Sequence, residues 1–121
     1  MPKTSAYAKG VMGEMAACAY LEAHGLSPIA RRYRSPYGEA DLVLLDGDVL
    51  VFAEVKARER GTAADASAAV TPAKQRRLVL TARCFLGENP QHAGRMVRFD
   101  VVTVTREGVW HVPNAFEGTE W

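Results

Sequence analysis

Residues Gly38 to Arg58 read GEADLVLLDGDVLVFAEVKAR, and the fold turns on how this stretch pairs with itself. Two apolar runs flank an Asp46-Gly47 turn signal, the pattern of a β-hairpin. Glu39, Asp41, Glu54 and Lys56 stand where strands made only for packing would carry Val or Ile. A carboxylate on one strand followed by Glu-x-Lys on the next suits a site for one or two hard divalent cations, Mg²⁺ or Mn²⁺.

Side chains alternate faces along a strand, so Glu39, Asp41, Val43 and Leu45 are predicted to share one face of the first strand. Leu50, Phe52, Glu54 and Lys56 share one face of the second. A two-residue turn at Asp46-Gly47 sets Asp41 opposite Phe52 and diagonal to Glu54. A four-residue loop from Asp46 to Val49 sets Asp41 directly opposite Glu54. A three-residue loop would part the carboxylates across the sheet.

Upstream, Ser5 to His24 reads as a helix with Gly25 as its stop. Val11, Cys18 and Leu21 mark its packing face, with Met15 beside them. Glu14 falls on the same stripe and either snorkels at its edge or points into a polar site. The run IARRYR, Ile29 to Arg34, is a first strand whose arginines read as a solvated edge or as a rim facing phosphate.

Downstream, Ala57 to Val70 is rich in small residues and reads as a mobile loop. Thr71-Pro72 then opens a second helix, with Leu78, Ala82, Phe85 and Leu86 packing and an end near Gly87. Lys74 and Arg77 lie one turn apart on it, beside Arg76. Met96 to Thr105 and Val109 to Val112 are predicted strands around a Glu107-Gly108 turn. Helix, three strands, helix, two strands is an α/β order, a mixed sheet flanked by helices. Trp110 and Phe116 are expected to pack in the core.

The chain has 121 residues, 48% apolar and 24% charged, which fits one globular domain spanning 1–121. Its formal net charge of +1 means that attraction to phosphate must come from local clustering. With no leader-like or membrane-length apolar run, a soluble cytoplasmic protein is expected, without a membrane partner. Cys18 and Cys84 are expected to be small buried hydrophobes in helices, and a zinc site is not expected.

In a divalent-metal site, Asp41 and Glu54 would supply carboxylate ligands, the Val55 carbonyl a third oxygen, and Glu14 would hold a water or a second ion. Lys56 would orient or activate an attacking water and offset charge in a phosphoryl transition state.

Gly13-Glu14, GEADLVLLD, VFAEVKAR, the Val70/Lys74/Arg77 spacing, RFDVV at Arg98 to Val102 and HVPNAF from His111 together resemble the YraN-like family of small bacterial proteins. The likeness runs from about Tyr7 to Phe116. That family resembles the PD-(D/E)xK restriction-endonuclease-like superfamily, whose α-β-β-β-α-β core has the order read above. Archaeal Holliday junction resolvases share its arrangement of acids and lysine. The resemblance implies Glu14, Asp41, Glu54 and Lys56 as the catalytic and metal set, with Ala40 departing from the usual larger aliphatic. It implies a metal-dependent endonuclease acting on DNA phosphodiesters, in branched or damaged DNA. The other readings are a nucleic-acid-binding module without turnover and a protein-interaction domain with a vestigial site. A basic rim of Arg32, Arg34, Arg58, Lys74 and Arg77 would meet DNA or another nucleic acid, and a homodimer would double it.

Overall fold

The computed structural model describes residues 6–58 and 70–117, with side chains of the first helix described from Met12 onward. The order is α1 (Ala6–Ala23), β1 (Ser27–Ser35), β2 (Gly38–Asp46), β3 (Val49–Ala57), α2 (Pro72–Glu88), a short 3₁₀ turn (Pro90–His92), β4 (Val97–Thr105) and β5 (Gly108–Phe116). The strands lie in one sheet in chain order. All neighbours are antiparallel except β3 and β4, which α2 joins as a parallel crossover.

Each helix covers one face of the sheet. On one, Ala17, Cys18 and Leu21 of α1 pack against Leu42, Leu44, Val51 and Ala53. On the other, Leu78, Val79, Ala82 and Phe85 of α2 pack against Val43, Leu50, Phe52 and Phe99. Phe52 is fully buried, with edge-on contact to Phe85 at 5.6 Å between ring centroids. Burying one such ring contributes about 1.5–3 kcal/mol, so the middle of the hairpin is the best-anchored part of the chain. The α2 start follows its sequence signal: Thr71 Oγ1 accepts the Lys74 N–H at 3.3 Å. The α1 end does too, with Gly25 at φ +92° and the Leu26 N–H returned to the Leu21 carbonyl at 3.0 Å.

The hairpin adopts the register in which Asp46 pairs with Val49 and Leu42 with Ala53. That is the register of the four-residue alternative, closed further so that Gly47-Asp48 alone turns the chain. Continued one step, it sets Asp41 across from Glu54.

Several expectations need correction. Met15 is 57% exposed rather than set beside the core, and Cys84 is half-buried. The last strand is longer than Val109 to Val112, because Phe99 pairs with Phe116 while Val101 pairs with Val112. The extra residues form a bulge around Asn114, whose φ is +50°. Of the Ala57–Val70 segment expected to be mobile, residues 59–69 lie outside the described residues; Val70, at its end, is buried against Val101. Phe116 packs as expected, stacked on Phe99 at 5.0 Å. Among the described residues no helix is long and apolar enough to cross a membrane.

Candidate metal centre at the fork of the central hairpin

Residues two apart on a regular strand share a face. Arg31 and Tyr33 do not. The Arg31 guanidinium lies 3.4 Å from Cys18 Sγ on the α1 side, whereas the Tyr33 ring meets Phe85 on the α2 side, 5.1 Å between centroids. Between them Arg32 has a φ of +49°, a conformation that non-glycine residues rarely adopt. The partner strand switches in step. Leu42, opposite Arg31, joins the α1 cluster, while Ala40, opposite Tyr33, joins the α2 cluster. Arg32 and Asp41 are therefore the points at which β1 and β2 change faces together.

The expectation that Glu39, Asp41, Val43 and Leu45 share one face fails for this reason. Val43 faces α2, Glu39 falls on the α1 side, and Asp41 lies between. The β2–β3 ladder ends at Leu42–Ala53, and the Asp41 carboxylate turns into the gap beyond it, accepting the Val55 N–H at 2.7 Å. On β3 the alternation is regular. Ala53 and Val55 pack toward α1 and Phe52 toward α2, so Glu54 and Lys56 project on the α2 side. Asp41 thus sits in a fork reached from both faces of the sheet.

From the α1 side comes Glu14. It is carried in close by Gly13, where an added Cβ would lie 3.0 Å from the Ala57 Cβ. Carboxylate oxygens of Glu14, Glu39 and Asp41 lie within 4.8 Å of one another. From the α2 side, Lys56 Nζ pairs with Glu54 Oε1 at 3.0 Å, both side chains about four-fifths buried (19% and 20% exposed). Burial, then the charge of Glu54, pushes the Asp41 carboxyl up to about 7, against the Val55 hydrogen bond; Glu14 and Glu39 add to the rise. Burial opposes the Lys56 ammonium, yet Glu54, Lys74 and Asp41 together raise its pKa above the ordinary lysine value. The neighbouring Lys56 lowers that of Lys74.

An all-oxygen cluster in which one carboxylate is forced toward its neutral form fits a hard dication, whose charge would relieve the crowding. Asp41 and Glu54 could hold it, with the carboxylates of Glu14 and Glu39 close by on the α1 side. Of Val55, the group seen to take part is its N–H.

The basic residues border the same end of the sheet. Arg32 Nε binds Glu14 Oε2 at 2.8 Å, and Arg34 Nε binds Glu39 Oε2 at 3.1 Å with its side chain 79% exposed. Arg58 is exposed past the end of β3, its N–H bonded to the Val104 carbonyl. Lys74 stands beside Lys56 in the first turn of α2, and Arg77 is exposed one turn on, near Gly38. Gln75, by contrast, points to the Val70 carbonyl, 3.0 Å away.

Two features have roles that the sequence does not announce. In sequence Glu39 reads as a polar interruption of its strand; the facing change at Asp41, which brings it to Glu14, has no signature in GEAD. The second is a buried ionic cluster. Asp100, with no exposed surface, accepts two bonds from Arg98 (2.8 and 2.9 Å), the Asn114 N–H (3.0 Å) and a contact from His111 Nε2 (2.7 Å). Arg98 also reaches Asp46 at 2.8 Å. The aspartate in RFDVV and the histidine opening HVPNAF were the available signals.

The chain belongs to the uncharacterised protein family UPF0102, the YraN family, whose model matches residues 13–104. It is 41% identical over 118 residues to a UPF0102 protein of Rhodopseudomonas palustris strain BisB18, covering 97% of this chain and 86% of the relative. A UPF0102 protein of Herminiimonas arsenicoxydans is 40% identical over 116 residues, covering 96% and 92%. One from Francisella tularensis subsp. tularensis is 37% identical over 108 residues, covering 88% and 92%.

Proposed function

We propose that this UPF0102 member is a metal-dependent endonuclease that hydrolyses phosphodiesters in DNA. The observation that carries the reading is the meeting, in one fork, of Glu14, Glu39, Asp41 and the Glu54–Lys56 pair from α1, β2 and β3. Ion pairs on an exposed strand are commonplace and contribute little. A half-buried set crowded enough to push one carboxyl to about 7 costs stability, and such costs cluster at working sites.

A bound Mg²⁺ or Mn²⁺ would supply Lewis acidity toward the scissile phosphate and the attacking water. The chain's own groups do the rest. Asp41 and Glu54 would hold the ion. Lys56, fixed by Glu54 at 3.0 Å, places an ammonium beside the reacting oxygens, where it offsets developing negative charge and orients water. Arg34, Arg58, Lys74 and Arg77 surround the fork with positive charge and would contact the flanking phosphates. A net charge of only +1 favours a substrate recognised by its shape, such as a branched junction, over tight binding to any duplex.

The test is nicking of duplex, single-stranded and four-way DNA with Mg²⁺ or Mn²⁺. Glu54→Ala and Lys56→Ala are each expected to lower cleavage by roughly two orders of magnitude or more. Cleavage that survives both substitutions would show that the activity lies elsewhere.

A further inference from the structure

We infer that the fork takes a single dication, and that the Arg32 guanidinium already occupies the place a second would fill. This rests on the metal-dependent reading above, and goes on from it to the number of ions and to the role of a residue outside the acid-lysine set.

The charges at the fork pair off by position. Among the described residues, Glu14 is paired with Arg32, Glu39 with Arg34 and Glu54 with Lys56. Asp41 has no cation at ion-pair distance there; its Oδ2 takes a backbone N–H instead. With Lys74, beside Lys56, the four carboxylates meet four cations, and Asp41 is the acid left without one at ion-pair distance. One dication there, with one phosphodiester bound, leaves a single positive charge. A second would leave three uncompensated positive charges in a half-buried cluster, where repulsion is weakly screened.

Position leads to the same result. The oxygens of Glu14, Glu39 and Asp41, within 4.8 Å of one another, are the donors a second ion would need on the α1 side. Arg32 Nε lies 2.8 Å from one of them. The guanidinium gets there because Arg32 adopts its +49° φ at the point where the strand changes faces. A backbone held in an uncommon conformation in order to place a charge is the kind of strain that accompanies function. The ion itself is left to Asp41 and Glu54.

Manganese titration of the whole protein, with free Mn²⁺ followed by electron paramagnetic resonance, tests this without any measure of cleavage. The wild type is expected to bind one ion per chain. Arg32→Asn, which tolerates the left-handed backbone and removes the charge, is expected to bind two. Arg32→Asn with Glu14→Gln is expected to return to one, and Arg32→Lys to stay at one. Glu14→Gln alone should still bind one ion, which keeps the test valid if the Arg32 variants fail to fold. Two ions on the wild type or one on folded Arg32→Asn would overturn the single-ion assignment, and loss of binding in Glu14→Gln would overturn the reading that Arg32, and not the ion, occupies the Glu14 side of the fork; each leaves a metal site standing. No binding by the wild type would remove the metal-dependent reading, and this inference with it.

Discussion

At the scale of single residues, Asp41 carries the tension of the site. Its carboxyl, pushed up to about 7 by burial and by Glu54, binds a proton in the folded chain at pH values where the unfolded chain has lost it. Folding stability from this group is therefore fully present in acid, below the ordinary carboxylate value, and is lost as pH rises toward 7. Between about pH 5 and pH 8, urea unfolding should show the wild type weakening by about 1–2 kcal/mol through this group, allowing for its coupling to Glu54. Asp41→Asn should flatten that slope, and millimolar Mg²⁺ should restore the wild type at the alkaline end. The residue types at the fork were legible in the sequence, since acids and a lysine interrupt apolar strands there. Their facing was not, because an arginine gives no hint that its backbone will turn left-handed.

At the scale of elements, the close approach of α1 to the end of β3 depends on Gly13. A Cβ at that position would meet the Ala57 Cβ at 3.0 Å. Gly13→Val should lift the helix and cost about 1–3 kcal/mol in denaturant unfolding. The helix caps and the hairpin turn could be read from Gly25, Thr71-Pro72 and Asp46-Gly47, since each has a local cause in backbone freedom or a capping hydroxyl. The length of β5 could not. Pro113 and Asn114 look like the end of a strand, and the chain is held in the sheet beyond them by the buried Asp100, which takes the Asn114 N–H, and by Phe116, which pairs with and stacks on Phe99.

At the scale of the whole molecule, that aspartate joins parts far apart in sequence. Arg98 and Asp100 on β4 tie the hairpin tip at Asp46 to the bulge of β5 through His111 and Asn114. Burial opposes the Asp100 charge, but His111, Arg98 and the Asn114 N–H outweigh it and hold the carboxyl below its usual range. Its contribution is present above that range and is lost as acid protonates it, the reverse of Asp41. Asp100→Ala should leave Arg98 with Asp46 alone and His111 and the Asn114 N–H without their partner, and cost about 3–5 kcal/mol, read by chemical denaturation at neutral pH. Two ionic centres with opposite acid responses should give the protein a stability optimum in mildly acidic solution. The α/β order was clear from sequence because periodicity reports it, whereas these long-range ties arise only on folding.

An open sheet has two borders, and here each outer strand carries one of the two non-glycine residues with positive φ among those described, Arg32 in β1 and Asn114 in β5. A strand from a neighbouring molecule laid along either border would meet a broken row of hydrogen-bonding groups partway down. The same kinks that aim an arginine at the acids and close a bulge over Asp100 therefore make both margins poor templates for fibril growth.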